Sequence, residues 1–334
     1  MEDKQNRGKN DRSVQRSNQP KSGTRNSAIL SGFNVDKEDD SIPNVGIAGR
    51  KRAGGKENPG PATRISKKKL YEMERLLPDR DIRVLEALRK YHYLTSGQIR
   101  RLIFYDLDGN YSRTRKSNLV MKRLSDIGVT KALKRKMGNG YGGSSENIWR
   151  LTEAGHKLLH LHATGKLTRK TFTEPSSLFL RHTLAKAECA VQVTTICRKS
   201  HDLSLINIDT EPSCWRAFVR NGKAVYLKPD LFLVTNYDDY EDRWFLEIDL
   251  GTESPAQIAE KCKLYRDYYL SGLEQKESGM FPLAVWIVTD DARKEKLREW
   301  VKSEVTPMPK IFLIIRDDEL EKMLRQYIER EDLC

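Results

Sequence analysis

The spacing of apolar residues changes along this chain, and that change restricts its fold more than any other feature. From Asp79 the positions Ile82, Leu85 and Leu88, with Val84 beside them, recur as one face of a helix. Thr95 and Gln98 stand three apart, the signature of a capping box, and the helix they open carries Ile99, Leu102 and Ile103 inward. A polar stretch from Asp106 to Tyr111 separates it from a third helix beginning near Ser112. The expected core face of that helix is Leu119, Val120, Leu124 and Ile127, with Gly128 at its stop. Then the period shortens. Val129 to Lys136 and Asn147 to Leu151 read as two strands closed by the glycine-rich tip at 138–143, and a further helix opens at Leu151-Thr152-Glu153-Ala154-Gly155. Three helices followed by a basic hairpin is the order of a winged helix-turn-helix, expected over residues 76–162.

Residues 163–177 read as a linker. Beyond it a helix is expected from Leu178 to Cys197, with Leu184, Ala187, Val191 and Val193 apolar. Short strand-like runs follow: Leu203 to Asp209, Trp215 to Val219, Ala224 to Leu227, Leu231 to Val234 and Trp244 to Leu250. Asn221-Gly222 between the second and third is a hairpin turn. The last third alternates, with a helix from Ser254 to Leu270, a strand from Leu283 to Val288, a helix from Ala292 to Val301, a strand from Ile311 to Ile315 and a helix from Asp318 to Ile328. Antiparallel strands first and strand–helix alternation afterwards predict a mixed sheet with helices packed on it, over residues 178–330. The fold class is therefore α+β or mixed α/β. A length of 334 residues accommodates two such domains.

Charge divides the chain. Lys and Arg outnumber Asp and Glu by 16 to 8 in residues 1–70 and by 17 to 8 in residues 79–160, whereas residues 161–334 hold 26 against 29. The positive field belongs to the first half and would gather a polyanion such as double-stranded DNA. Residues 1–75 are expected to be a disordered basic tail, because their first 70 are rich in Asn, Ser, Gly, Lys and Arg and poor in aromatics. A helix about 10–12 Å across fits a major groove about 12 Å wide. In the third helix Arg113, Arg115, Lys116 and Ser117 occupy the early turns, where base edges are met, and Lys122 and Arg123 follow on its polar face. Lys134, Arg135 and Lys136 on the wing would meet phosphates, contacts that position rather than specify.

Several exclusions follow. No run of about 18 apolar residues predicts a transmembrane helix, and the polar N-terminus lacks the apolar stretch of a secretory signal. The five cysteines, Cys189, Cys197, Cys214, Cys262 and Cys334, include no CxxC pair, which argues for a reducing cytoplasm and against a disulfide scaffold or zinc site. There is no GxxxxGK[ST], GxSxG or HExxH motif.

The second half concentrates acids where a sheet would gather them. Pro229-Asp230 opens one strand. Glu247 and Asp249 stand two apart on another, hence on one face, among apolar Phe245, Leu246, Ile248 and Leu250. A carboxylate inside such a strand is costly unless paired or metal-bound. Asp230, Glu247 and Asp249 are thus candidate ligands for Mg2+ or Mn2+, ions that favour hard oxygen donors and can activate water against a phosphodiester. Lys261 and Tyr265, four apart on the following helix, can both face the sheet.

The blocks from Leu94-Thr95 through Gly155, and Glu247-Ile248-Asp249-Leu250-Gly251-Thr252 followed by Lys261 and Tyr265, resemble the replication-relaxation family of plasmids and integrative elements. That family is similar to C-type mobilisation relaxases, whose second domain resembles PD-(D/E)xK nucleases. The resemblance covers about residues 79–275. It implies Asp230 as the metal ligand of the Pro-Asp element, Glu247 as the acid of (D/E)xK, and Glu188 as an additional acid from the first helix of the domain. The lysine position of that motif holds Asp249 instead, and Lys261 would supply the displaced charge. The resemblance also offers Tyr265 as an attacking or positioning group. It implies a bacterial cytoplasmic protein that acts on an origin-like duplex site, with other mobilisation or replication proteins as further partners.

The same residues have structural readings. Asp230 after a proline can simply begin a strand, and Glu247 and Asp249 can pair with Arg or Lys on neighbouring elements. Glu253 suits a helix start, His182 a core or capping site, and Tyr265, Tyr268 and Tyr269 helix packing. Trp215 and Trp244 read as core. Three functions remain open on sequence grounds: a metal-dependent nicking protein, a non-catalytic DNA-binding replication accessory or regulator with a degenerate nuclease-like domain, and a protein-interaction adaptor.

Overall fold

A computed structural model of the protein describes residues 66–134, 146–164, 174–238, 240–305 and 310–325. The first elements are helical. Ser66 accepts the Lys69 N–H and starts α1 (Lys67–Arg75), whose Leu70 is fully buried. The last nine residues of the expected tail form this helix, which packs Leu70 and Met73 on the core. The rest of the expected tail lies outside the described residues.

Helix α2 (Asp79–Tyr91) buries Val84, Leu85 and Leu88 as its periodicity predicted. A two-residue strand β1 (Leu94–Thr95) leads into α3 (Ser96–Ile103), where the Thr95/Gln98 capping box is made in both directions. Helix α4 spans Asn110–Asp126. Its buried positions are Ser117, Val120, Met121 and Leu124, while Leu119 and Ile127 are exposed, contrary to the expected core face. Spacings of three, one and three place these four on one stripe, and Ser117 tolerates burial because its hydroxyl donates to the Thr114 carbonyl at 3.0 Å.

Strands β2 (Thr130–Ala132) and β3 (Ile148–Leu151) complete a three-stranded antiparallel sheet in the order β1-β3-β2. The expected strand to Lys136 is shorter, and the glycine-rich tip lies outside the described residues. The sheet hands over to α5 (Glu153–Thr164) through a tight junction. Thr152 donates its hydroxyl to the Gly128 carbonyl at 2.6 Å, and its amide to the Val129 carbonyl at 3.1 Å. A Cβ on Gly155 would stand 2.2 Å from that same Val129 oxygen, so this position requires glycine for close approach.

Helix α6 (Ser177–Lys199) follows, capped by Ser176. Then come β4 (Leu203–Thr210), a hairpin of β5 (Arg216–Arg220) and β6 (Lys223–Leu227), β7 (Leu231–Tyr237) and β8 (Tyr240–Ile248). The Asn221-Gly222 turn has positive φ at both residues, as a two-residue hairpin of this hand requires. The alternating part comprises α7 (Pro255–Ser271), α8 (Leu273–Ser278), β9 (Leu283–Val288), α9 (Asp291–Val305), β10 (Phe312–Arg316), a 3-10 turn at Asp317–Glu319 and α10 (Leu320–Leu324). The main sheet runs β10-β9-β8-β7-β4, with β8, β9 and β10 parallel and β4, β7 and β8 antiparallel. This is the predicted mixed sheet.

Alternate residues of each central strand enter two cores. Leu231, Leu233, Trp244, Leu246, Val285 and Leu313 pack toward α6, and Phe232, Phe245, Ala284, Trp286 and Phe312 toward α7 and α9. The α6 side is continuous with the core of the N-terminal helices, and residues from 66 onward fall within one compact unit. Polar contacts reinforce the junction: Lys90 donates to the Ile208 carbonyl at 2.6 Å, and Arg198 to the Leu102 carbonyl at 3.0 Å. Among the described residues no helix is long and apolar enough to cross a membrane.

Candidate active site and nucleic-acid interface

The β7–β8 register pairs Leu231 with Leu246, so one step further places Asp230 across from Glu247. The Asp230 amide donates to the Leu246 carbonyl at 3.0 Å, and its carboxylate accepts the Ile248 amide at 2.8 Å. Asp230 thus sits at the end of the sheet, between α6 on one face and α7 on the other. From α6, His182 Nε2 lies 3.3 Å and Lys186 Nζ 3.6 Å from the Asp230 carboxylate. His182 also meets the Ile248 carbonyl at 3.0 Å. From α7, Lys261 Nζ reaches Glu247 at 2.8 Å and Glu253 at 2.6 Å, and the Tyr265 hydroxyl donates to Glu247 at 2.8 Å. The helical spacing of Lys261 and Tyr265 has the expected result, since both face Glu247.

Both acids are buried, Asp230 to 6% and Glu247 to 2% exposure. Burial alone would raise both carboxyls. At Asp230 the hydrogen bond and charge of His182, with Lys186 and Lys261, outweigh it and hold the group down at about 2. At Glu247 burial wins, aided by the Asp230 charge and opposed by Lys261, and the group is pushed up to about 7. Burial would lower Lys261, but Glu247, Glu253 and Asp230 together raise it, so its ammonium stays charged. His182 is likewise raised by Asp230 and the Ile248 carbonyl against its burial. The surroundings thus pull the two carboxyls in opposite directions, Asp230 held down by its cations and Glu247 raised by burial.

Three candidate residues fall elsewhere. Asp249 lies just past the end of β8, where Gly251 at φ 77° turns the chain away. Its carboxylate accepts the Gly251 amide at 2.7 Å and pairs with Arg293 of α9 at 2.7 Å, so it does not join Asp230 and Glu247 as a third ligand. Glu188 points from α6 to α3. Arg101 grips both its oxygens at 2.7 and 2.6 Å, and Gln98 donates to it at 3.2 Å. It is a fastener between α3 and α6, not an acid of this cluster. Tyr265 is fully buried among Phe245, Trp286 and Phe312, and its burial and the neighbouring Glu247 hold the phenol far above its ordinary range. Its hydroxyl is spent on Glu247 and the ring is closed off from the surface.

Among the described residues no three His, Cys, Asp or Glu side chains converge as a self-sufficient metal site. An ion at Asp230 would have to keep part of its water shell and displace the cations now on the carboxylates. Two opposed carboxylates and the Ile248 carbonyl beside them present oxygen donors, and Mg2+ commonly binds through one or two carboxylates with waters completing the octahedron. His182 and Lys261 hold those oxygens in this structure. The sequence reading missed His182 and Lys186 as part of the cluster, although their spacing of four on one helix was legible.

On α4 the exposed stripe is Tyr111, Arg115, Lys116, Asn118, Leu119 and Lys122. Lys122 also forms an exposed pair with Asp126 at 2.7 Å. Ser117 is buried and is withdrawn from any surface role. Arg113 donates to the Leu107 carbonyl at 2.6 Å, and Arg123 forks onto the buried Asp81 at 2.6 and 2.7 Å. Both are engaged within the protein, although the Arg123 side chain stays 49% exposed. Lys134 is exposed at the start of the expected wing, while Arg135 and Lys136 lie outside the described residues.

A family model for replication-relaxation proteins matches residues 85–284, from within α2 to the start of β9. The chain belongs to the replication-relaxation family. The match takes in α4 and the Asp230–Glu247–Lys261 cluster in one stretch, consistent with a replication-relaxation unit that includes both halves. Membership points to a role in the replication or mobilisation of plasmids or other mobile elements. No curated protein and no solved structure matches the chain.

Proposed function

We propose that this replication-relaxation protein binds an origin-like duplex DNA site through a winged helix-turn-helix and cuts or nicks DNA at a PD-(D/E)xK-like centre. The observation that carries the reading is the Lys261–Glu247 contact at 2.8 Å, with Asp230 across the strand pair. The lysine that the motif position lacks arrives from α7 at the acid it would serve. The order α2, β1, α3, α4, β2, β3 supports the winged-helix assignment, with Arg115, Lys116, Asn118 and Lys122 of α4 as the groove-facing set.

In this reading Asp230, Glu247 and the Ile248 carbonyl would hold Mg2+ or Mn2+, which when bound lowers the pKa of water and offsets charge on the phosphate. Tyr265 fixes the Glu247 rotamer from its buried side. Lys261 supplies a permanent positive charge to the reacting phosphate. His182 and Lys186 hold Asp230 ionised, and each is placed to give up that contact to an incoming ligand.

A second reading has its own observation. Asp230 and Glu247 are buried and already neutralised by His182, Lys186 and Lys261, which is what a degenerate centre in a replication accessory would look like. Supercoiled-plasmid nicking decides between them, with the element's own origin region, with and without Mg2+ or Mn2+, for wild type and Glu247→Ala. Metal-dependent nicking lost in the variant supports the nuclease. Duplex binding without nicking, unchanged by Glu247→Ala, assigns the accessory role.

A further inference from the structure

The β5–β6 hairpin stands apart from the main sheet and has two unlike faces. One is fixed to the molecule. Phe218 packs on Tyr268 with ring centres 5.4 Å apart, Arg216 pairs with Glu274 at 3.0 Å, and Arg220 with Glu260 and Asp267 at 2.8 and 2.7 Å. The other face is open. The register sets Ala217 opposite Tyr226 and Val219 opposite Ala224, and all four are exposed, Val219 to 69% and Tyr226 to 54%. Trp215 and Lys228 extend that face. The rings of Trp215 and Tyr226 are 6.5 Å apart, and Lys228 Nζ lies 4.3 Å from the Trp215 ring centre.

Charge and position indicate what the face takes. Residues 215–228 hold four Lys/Arg and no Asp/Glu, within a half of the chain where acids outnumber bases. Arg216 and Arg220 are turned inward onto acids and Lys223, opposite Arg220 in the register, shares their side, so Lys228 at the base is the cation of the open face. The hairpin also runs straight into the candidate centre. Lys228 precedes Asp230 by two residues, which limits their Cα separation to about 7 Å, and Cys214 Sγ donates to the Pro229 carbonyl at 3.0 Å, tying the start of β5 to the same point.

We infer that this face is a binding platform for single-stranded DNA, with a base stacked on Tyr226 beside the half-buried Trp215 and a phosphate met by Lys228. A ring accepts any base, and a lysine beside it complements the backbone, the combination used by sequence-tolerant single-strand sites. The inference rests on the reading above that this protein handles DNA, and adds to it that a strand opened at the centre is held by the hairpin beside it.

The test uses the full chain and fluorescence anisotropy with labelled oligothymidine of about 15 nucleotides, and separately with origin duplex. Tyr226→Ala and Lys228→Ala should each weaken oligothymidine binding, by about ten-fold for Tyr226→Ala, and leave duplex binding unchanged. Tyr226→Phe should restore it, since the ring is kept. Arg115→Ala/Lys116→Ala on α4 should do the converse. Wild-type oligothymidine affinity in Tyr226→Ala overturns the platform while duplex binding through α4 leaves the DNA reading intact. A wild type that binds neither probe overturns both. Self-association abolished by Tyr226→Ala, with oligothymidine affinity unchanged, gives the face to a second copy of the chain and also overturns the platform.

Discussion

A double-mutant cycle on Arg101 and Glu188 measures what their contact between α3 and α6 contributes. Arg101 holds the Glu188 carboxylate through two parallel hydrogen bonds of 2.7 and 2.6 Å, a geometry that outperforms a single ion pair. The pair is neither buried nor free, with side chains 40% and 33% exposed. An exposed pair contributes about 0.2–1 kcal/mol, and breaking a buried one costs about 3–5 kcal/mol. At this burial solvent screening removes most of the difference. Gln98, itself buried, keeps its bond to the Leu184 carbonyl at 3.0 Å if Glu188 is lost, so no buried donor is orphaned. Glu188→Ala should therefore cost about 1–2 kcal/mol, with a coupling energy to Arg101→Ala of about 1 kcal/mol. Urea denaturation of wild type, both single variants and the double variant gives the cycle. Metal-dependent nicking measured on the same proteins should fall only as far as stability does. A Glu188→Ala protein of wild-type stability that has lost nicking altogether would refute this reasoning and return Glu188 to the catalytic acids.

Other expectations follow from single contacts. Glu188 is held below its ordinary carboxyl value of 4.5, since Arg101 and Gln98 outweigh the effect of burial. Its stabilising contribution is present above about pH 4.5 and lost as pH falls through the lower folded-state value. Glu188→Gln should therefore flatten that acid limb in a pH series of urea midpoints, and an unchanged limb would show that the ionised group contributes nothing. Gly155→Ala forces a methyl to within 2.2 Å of the Val129 carbonyl and should destabilise by about 2 kcal/mol or more, read as a lower thermal midpoint; a neutral effect would mean that the β2–α5 junction yields freely. Arg123→Ala leaves Asp81, 1% exposed, without its cation, and should lower stability by about 2–4 kcal/mol. Lys116→Ala, on the exposed stripe, should leave stability within about 0.5 kcal/mol and weaken duplex binding with a shallower salt dependence. The reverse pattern would put Arg123 on the DNA side.

Local chemistry was legible in the sequence wherever it acts over a few residues. The Thr95/Gln98 capping box, the Asn221-Gly222 turn and the apolar stripe of α2 each depend on neighbours along the chain. So does the alternation that sends Phe245 and Leu246 to opposite faces of the sheet. The spacing of Lys261 and Tyr265 likewise put them on one helix face, and the acid they meet was named. What the sequence could not settle was which side of an element a long-range partner would occupy. Asp249 read as a site acid because a carboxylate in apolar surroundings needs a partner, and Glu188 through the family resemblance, but the partners they take are Arg293 and Arg101, 44 and 87 residues away. Ser117 and Leu119 exchanged surface and core because a serine can satisfy its hydroxyl on its own helix and be buried. The joining of α3 to α6 into one core likewise depends on surfaces that no periodicity reports. Secondary structure is set by local sterics and spacing, so the amino-acid order determined it. The pairing of charges and the gathering of Asp230, Glu247, His182 and Lys261 were decided by strand register and helix packing, which exist only once the chain has closed on itself.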